Sequence, residues 1–234
     1  MRLTKKNYFS PWAERKYFSA SQVKAMLRCP AAALADERPA STALLVGSYV
    51  DAAFEGKLDA FRAEHPEMLK KDGTLKADFV KAEEMIARAG GDALFTEYMK
   101  GRKQVVRTGR IGGLPFKIKM DVYRKGERIV DLKTVRDMRP GFADEWEWPL
   151  QMAIYQTVEG NRLPCFLAVI TKEDPPDIEV IEIPQRTLDA ERERLLEMLP
   201  RLDAYKRGIL PAPRCGHCAY CRRTKKLTEP VLLS

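Results

Sequence analysis

The sequence lacks a long apolar segment. Its longest apolar run, 165-CFLAVI-170, is far shorter than the roughly 20 residues that a helix needs to cross a bilayer. The first residues, MRLTKKNYFSPWAERKY, also lack the apolar core of about 7–15 residues that a secretory signal requires. These absences lead us to expect a soluble, intracellular protein in the cytoplasm, with no membrane partner.

Cysteine is too sparse and too unevenly spread for a disulfide scaffold. Five cysteines occur in 234 residues, and three of them fall close together within 215–221. Internal repeats and low-complexity tracts are absent as well. The hydrophobic fraction of 45% is ordinary for a packed globular protein, so we expect a conventional hydrophobic core.

Charge is abundant and is not confined to one sign. Lysine and arginine number 41 against 33 aspartates and glutamates, which gives a formal net charge of +8. A basic excess favours nucleic acid as a partner, because phosphates attract it, without specifying one. The many acids that remain are available for another purpose, such as holding a cation.

The hydrophobic pattern changes its period along the chain. It first predicts helices at 19–29, 43–56, 77–89 and 92–100, with a polar loop at 57–75. Alternating and β-branched residues then predict three strands within 105–135, with turns at Gly109, Gly112-Gly113 and 125–127. A helix from about Pro149 to Gly160, strands at 164–172 and 178–184, and a helix at 186–207 follow.

This order of elements predicts a mixed β-sheet flanked by helices, in the α/β or α+β class. We expect a single domain over residues 1–234. Within it, 19–104 form an N-terminal helical part, 105–207 form the sheet core, and 208–234 carry the cysteine cluster and a basic tail.

Two acids and a lysine face each other across a predicted hairpin. With a three-residue loop at 125–127, Asp121 pairs directly with Asp131. Lys133 lies on the same face as Asp131 because side chains alternate along a strand. Facing carboxylates repel each other, so they favour a bound hard cation such as Mg²⁺ or Mn²⁺. A solvated hairpin with mixed charges is the other interpretation.

Two helices supply further polar side chains. Gln151 and Tyr155 are four residues apart and therefore share one helical face. Gly47 and Asp51 are also one turn apart, in an otherwise apolar helix. Asp51 is either an exposed residue at the edge of that helix or a third metal ligand.

Together, Asp121, Asp131-x-Lys133 and Gln151-x-x-x-Tyr155 resemble the motifs of the PD-(D/E)xK nuclease superfamily, in its RecB-type exonuclease branch, near the phage exonucleases of recombination. The resemblance implies a restriction-endonuclease-like fold. It makes Asp121 and Asp131 ligands of one or two Mg²⁺ or Mn²⁺ ions, joined by the Leu132 carbonyl. It also implies that Lys133 positions the attacking water, and that Gln151 and Tyr155 support the site and touch DNA.

One position departs from that branch. The branch usually has histidine at the fourth position after the helix glycine, where this chain has Asp51. An aspartate there is a harder ligand that suits Mg²⁺ or Mn²⁺.

The resemblance implies a metal-dependent DNA exonuclease, encoded by a phage or mobile element and acting in recombination inside a bacterial host, with a single-strand annealing protein as partner. Two alternatives stay open at this point. One is a non-catalytic nucleic-acid-binding protein with a metal knuckle, and the other is an endonuclease of the same fold.

The C-terminal cysteines form a C-x2-C-x2-C run of Cys215, Cys218 and Cys221, and Cys29-Pro30 supplies a remote fourth thiol. This spacing is the one that bacterial ferredoxins use around a [4Fe–4S] cluster. AddB-type helicase–nucleases and iron–sulfur CRISPR-associated nucleases are similar, although their last spacing is usually longer. A zinc site with Cys29 or His217 as fourth ligand is the alternative, followed by unmetallated thiols.

Basic residues flank both predicted sites. A charge run is usually a solvated face, but next to a nuclease site lysines and arginines are expected to contact phosphates without reading sequence. The candidates for DNA contact are Arg107, Arg110, Arg222 and Arg223.

Overall fold

The computed structural model describes residues 2–35 and 41–227. Its N-terminal part is helical: α1 (Pro11–Lys16), α2 (Ala20–Arg28), α3 (Pro30–Leu34), α4 (Thr42–Phe54), α5 (Leu58–Glu64), a 3-10 turn (Pro66–Met68), α6 (Ala77–Gly90) and α7 (Ala93–Tyr98). The rest comprises β1 (Arg102–Ile111), β2 (Leu114–Arg124), β3 (Arg128–Val135), α8 (Phe142–Glu145), α9 (Trp148–Glu159), β4 (Cys165–Thr171), β5 (Ile178–Ile183), α10 (Gln185–Lys206) and α11 (Ala219–Arg223).

The described strands form one mixed sheet in the order β1-β2-β3-β4-β5. β1, β2 and β3 are an antiparallel meander, β4 lies parallel to β3, and β5 returns antiparallel to β4. A parallel pair needs a crossover connection, and α9 lies in the one between β3 and β4. This arrangement confirms the predicted mixed sheet flanked by helices.

Each face of the sheet carries its own hydrophobic core. Residues of α2, α9 and α10 pack on one face, where they meet strand residues such as Ile129 and Leu167. Residues of α4, α6 and α7 pack on the other face against Val130 and Ala168. The inner strand β4 is buried along its whole length, as expected for a strand covered on both faces.

Most predicted elements are confirmed to within a few residues, and local signals explain why. Helix α2 begins after Ser19, whose hydroxyl accepts a hydrogen bond from the Gln22 amide at 3.3 Å. It ends before Pro30, which opens α3. None of the helices within residues 2–35 and 41–227 has the length and apolar character that crossing a membrane would require.

The predicted loop at 57–75 was wrong. The segment contains α5 and a 3-10 turn that begins at Pro66. The ring of Phe61 packs edge-on against Tyr49 of α4, with ring centroids 6.1 Å apart, and Met68 is fully buried. The helix has only seven residues and its stability comes from this tertiary packing, so its sequence pattern is weak.

The predicted turn at Gly109 was also wrong, because Gly109 is a paired residue of β1 opposite Phe116 of β2. A Cβ atom at this position would lie 3.2 Å from Cγ1 of Val158 on α9. The glycine therefore allows close approach of a helix to the sheet and does not reverse the chain.

Candidate active site and cysteine cluster

The hairpin of β2 and β3 brings the first two acids together. Its loop spans residues 125–127 as predicted, since Arg124 pairs with Arg128. The predicted direct pairing of the two aspartates is not formed, because the ladder ends one residue earlier. Instead, Oδ2 of Asp121 accepts a hydrogen bond from the backbone amide of Leu132 at 3.0 Å. Asp121 is thereby anchored to β3 right beside Asp131.

Asp131 is the most enclosed of the acids, with 1% of its surface exposed. Its Oδ2 is buried against the ammonium of Lys133, as an ion pair, and has no further hydrogen-bond partner among the described residues. Its Oδ1 accepts a hydrogen bond from Nε2 of Gln151 at 2.9 Å. The same Gln151 nitrogen donates to the hydroxyl of Tyr155 at 3.2 Å. The structure thus brings together Asp121, Asp131, Lys133, Gln151 and Tyr155.

Helix α4 contributes Asp51 to the same place. A Cβ atom at Gly47, one turn earlier, would lie in ordinary van der Waals contact with Oγ1 of Thr134, at 3.5 Å, so α4 passes beside the end of β3. Burial first, and then the Asp131 carboxylate, raise the pKa of Asp51 to about 7. Asp51 is therefore an enclosed member of the acid group and not an exposed edge residue.

The electrostatics of the site are those of a crowded anionic group. Burial, together with Asp131 and Asp51, raises the pKa of Asp121 well above its usual range. Burial lowers the pKa of Lys133, but the Asp131 and Asp121 carboxylates outweigh it and the net shift is upward. Like charges held near each other out of water favour a bound cation.

Lys24 is a member of this site that the sequence did not reveal. It extends from α2, and its Nζ donates a hydrogen bond to Oε1 of Gln151 at 2.7 Å. Burial and the nearby Lys133 lower the pKa of Lys24 to about 8. No spacing pattern could have indicated it, because Lys24 and Gln151 are 127 residues apart.

A cleft of about 620 Å³ opens beside Asp51. Its walls include Arg136, Arg139 and Lys172, together with the half-exposed ring of Trp146. These residues were not predicted either, because they follow the strand that carries the acids and have no distinctive spacing. A second cleft, which Asp51 also lines, includes Gln104 and Lys119 in its walls.

The predicted DNA contacts lie elsewhere. Arg107 stacks on the ring of Tyr123 and pairs with the buried Glu159 at 3.5 Å. Arg110 lies near the end of β1, where it donates to the Gly113 carbonyl. Arg222 and Arg223 close α11, just after the cysteine cluster. These four residues do not line the two clefts at Asp51, and their DNA-binding role stays a prediction.

The structure brings the four predicted cysteines into one group. The sulfurs of Cys29, Cys215, Cys218 and Cys221 all lie within 4.8 Å of one another. His217 is exposed, and its Nδ1 lies 2.9 Å from the carbonyl oxygen of Cys215. Cys165 is buried in β4 and separate from the cluster.

Both groups fit metal ions, of different kinds. The three carboxylates offer oxygen atoms, which hard divalent cations such as Mg²⁺ and Mn²⁺ prefer. The buried Oδ2 of Asp131, which has a lysine and no other partner among the described residues, is available to such an ion. The cysteine group offers four sulfur ligands, which suit zinc or iron.

A protein-family comparison matches this architecture. The model for a family described as "PDDEXK-like domain of unknown function (DUF3799)" matches residues 19–224. That span contains the acids, Lys133, Gln151 and the four clustered cysteines.

Comparison with solved structures gives a close match. A crystal structure from Eubacterium rectale, described as a "Putative exonuclease", is 37% identical to this chain. The match covers 99% of this chain and 97% of that chain, with a TM-score of 0.93. The structure of SSO0001 is 16% identical over 69% of this chain and 87% of that chain, and its TM-score of 0.32 is too low to carry an argument. No curated protein matches the sequence.

Proposed function

The chain belongs to the PDDEXK-like domain family DUF3799, and on that premise we propose that it is a metal-dependent DNA exonuclease. It hydrolyses phosphodiester bonds from the ends of linear DNA, in the recombination or DNA processing of a phage or mobile element. The observation that carries the proposal is the convergence of Asp51, Asp121 and Asp131 with Lys133, in a group whose member Asp51 also lines an open cleft. The similarity to a protein described as a "Putative exonuclease" supports digestion from an end.

The three carboxylates are the proposed metal ligands, with the carbonyl oxygen of Leu132 beside them. A divalent cation held there supplies Lewis-acid chemistry, because it neutralises charge on the phosphate and activates water. The raised pKa values of Asp51 and Asp121 support this assignment. Burial and the neighbouring carboxylates make the charged forms of these two aspartates costly, and one or two bound ions would remove that cost.

Lys133 is proposed to act as a cation and not as a base. The neighbouring acids keep its pKa above the ordinary lysine value, so its side chain is an ammonium at neutral pH. An ammonium donates hydrogen bonds and carries positive charge. It therefore orients the attacking water and stabilises the charge that develops on the phosphate oxygens.

Gln151, Tyr155 and Lys24 are proposed to hold Asp131 in place. The amide nitrogen of Gln151 donates to Oδ1 of Asp131, which leaves Oδ2 for the ion and for Lys133. Burial raises the pKa of Tyr155 well above its usual range, so its hydroxyl stays protonated and accepts a hydrogen bond from Gln151. The ammonium of Lys24 fixes which end of the Gln151 amide faces Asp131.

The DNA end is proposed to enter through the cleft beside Asp51. Arg136 is well placed to meet a phosphate, since 92% of its side chain is exposed and its contact with Asp137 is long, at 3.8 Å. Trp146 offers an exposed ring on which a base can stack. Arg107, Arg110, Arg222 and Arg223 are retained as proposed contacts to DNA farther from the site. A single-strand annealing protein is the proposed partner in recombination.

The test is digestion of linear duplex DNA labelled at either its 5′ or its 3′ end, with Mg²⁺, Mn²⁺ or no added divalent ion. We expect metal-dependent release of nucleotides from an end, and no nicking of a covalently closed circle. Asp131→Asn and Lys133→Met should each lower the rate by about 10²–10³-fold, because the first removes a carboxylate proposed to hold the metal ion and the second removes positive charge aimed at the reacting phosphate.

Lys125→Met is the matched control, since Lys125 is an exposed lysine of the same hairpin. It should digest DNA at the wild-type rate. Cleavage of the closed circle would replace the exonuclease with an endonuclease. Salt-sensitive DNA binding without cleavage under either ion, by folded protein, would replace the enzyme with a binding protein.

A further inference from the structure

The distances within the cysteine cluster are short. Sγ of Cys29 lies 3.6 Å from Sγ of Cys221, and Sγ of Cys215 lies 3.9 Å from the same atom. All four sulfurs lie within 4.8 Å of one another. The four atoms therefore surround a space of a particular size, and that size discriminates between metal centres.

A single tetrahedral ion fits this space. Zinc binds thiolate sulfur at about 2.3 Å, and the edge of a regular tetrahedron with that radius is about 3.8 Å. A four-iron cluster places four metal ions and four sulfides between its cysteine ligands, so those ligands must be much farther apart. The separations of Cys221 Sγ from the sulfurs of Cys29 and Cys215, 3.6 and 3.9 Å, lie on either side of the mononuclear value.

The backbone around the cluster supports thiolate ligands. The amide of Cys218 donates to Sγ of Cys215 at 3.3 Å, and the amide of Cys221 donates to Sγ of Cys218 at 3.4 Å. The amide of Cys215 lies 3.5 Å from Sγ of Cys29. Amide donors of this kind offset the negative charge of metal-bound sulfur and fix the orientation of each ligand.

We infer that Cys29, Cys215, Cys218 and Cys221 bind one tetrahedral Zn²⁺ ion, in place of the [4Fe–4S] cluster predicted from their spacing. His217 is not a ligand, because the four sulfurs complete the tetrahedron and its ring faces the Cys215 carbonyl. Four protein ligands leave no open position for water or substrate, so the role of the site is structural.

Metal analysis of protein purified without exposure to air tests this inference. We expect about one zinc ion per chain, little iron and no acid-labile sulfide. Replacement of the zinc by Co²⁺ should give the visible absorption of a tetrahedral cobalt–thiolate site. These readouts do not depend on DNA digestion, so the zinc site and the proposed exonuclease can fail separately.

Variants identify the ligands. Cys221→Ser should lose the bound zinc, while His217→Ala should keep it and give the wild-type Co²⁺ spectrum. If Cys221→Ser does not fold, the wild-type protein supplies the same information. Its thiols are titrated with a thiol-specific reagent, and the release of zinc and the change in the Co²⁺ spectrum are followed. About four irons with sulfide, a single iron, or loss of metal in His217→Ala would each overturn the inference.

Discussion

Gln151 has two polar ends, and each is held by a different part of the molecule. Its amide nitrogen donates to Asp131, and its amide oxygen accepts from Lys24 at 2.7 Å. An amide can rotate to exchange these ends, which would turn its oxygen toward the Asp131 carboxylate. The Lys24 ammonium opposes that rotation because it needs an acceptor. Lys24 is therefore a positioning residue that acts on Asp131 through Gln151.

Lys24→Met tests this role. The loss of the ammonium frees the Gln151 amide to rotate, so Asp131, a proposed metal ligand, is held less firmly. We expect kcat to fall by about 10-fold, KM for DNA to change little, and the Mn²⁺ concentration for half-maximal activity to rise. Lys24→Arg should restore part of the activity, while the Lys125→Met control stays unchanged. A fall in thermal stability without a change in Mn²⁺ dependence would assign Lys24 a purely structural role.

Asp51 makes the stability of the metal-free protein depend on pH in a specific way. Its pKa in the folded state is about 7, against an ordinary value of 3.8, so folding favours its protonated form. Deprotonation between about pH 4 and pH 7 therefore destabilises the folded state, by at most about 4 kcal/mol. Asp51 thus lowers stability as the pH rises, which is the opposite of an aspartate in a salt bridge.

The free energy of unfolding, measured in urea at pH 4.5 and at pH 8 without Mg²⁺ or Mn²⁺, checks this expectation. Asp51→Asn should be more stable than wild type at pH 8, and the advantage should shrink at pH 4.5. Added Mn²⁺ should stabilise the wild type more than the variant, because the variant has lost a carboxylate ligand. An equal difference at both pH values would contradict the pKa assigned to Asp51.

At the scale of elements, local sequence signals predicted the bounds of several helices and strands, and tertiary contacts determined the elements that the sequence did not predict. Helix α2 has a serine cap and a following proline, so its bounds could be read from the sequence. Asp121, Asp131 and Lys133 lie on two adjacent strands, as the alternation predicted, although the predicted direct pairing of the two aspartates is not formed. Helix α5 has no such signal, because it depends on packing against α4. Lys24 was missed for the same reason, since its partner comes from a distant segment.

Gly109 shows how the packing of a helix against a strand, here α9 against β1, can favour glycine at one position. A methyl group there would approach Cγ1 of Val158 to 3.2 Å, so Gly109→Ala requires Val158 on α9 to shift by a few tenths of an ångström. We expect a loss of about 1–2 kcal/mol in the free energy of unfolding, measured in urea. Val158→Ala should recover part of this loss in the double variant, because it removes Cγ1 of Val158, the atom that the new methyl group contacts.

Gly90→Ala is the matched control for that experiment. Gly90 is the last residue of α6, and a Cβ atom there would meet nothing within 4 Å. The substitution should be neutral or slightly stabilising, as alanine generally is in a helix. If Gly109→Ala were equally neutral, the close approach of α9 would not explain the glycine.

At the scale of the whole molecule, the cysteine cluster joins the two ends of the described fold. Cys29 lies between α2 and α3, and it is 186 residues from Cys215. The amide of Ala31 also donates to the Pro213 carbonyl at 3.1 Å. Helix α2 carries both Lys24 and, at its end, the first cluster ligand. The metal site and the proposed active site are therefore connected through one helix.

Removal of the zinc should change both the cysteine cluster and the proposed active site. Closing so long a loop constrains the unfolded chain, so metal-free protein should lose on the order of 4 kcal/mol of stability. Hydrogen exchange should lose protection in residues 20–35 and 208–224, while β3 and β4 stay protected because they lie in the cores of both sheet faces.

Removal of the zinc should also affect the proposed active site, through Lys24. Metal-free protein, assayed at a temperature where it is still folded, should need more Mn²⁺ for half-maximal activity, as Lys24→Met does. Combining zinc removal with Lys24→Met should then add little further effect, since both release the same hydrogen bond to Gln151. Fully additive effects would mean that the cluster stabilises the fold without holding Lys24, and α2 would lose its role as the connection between the two sites.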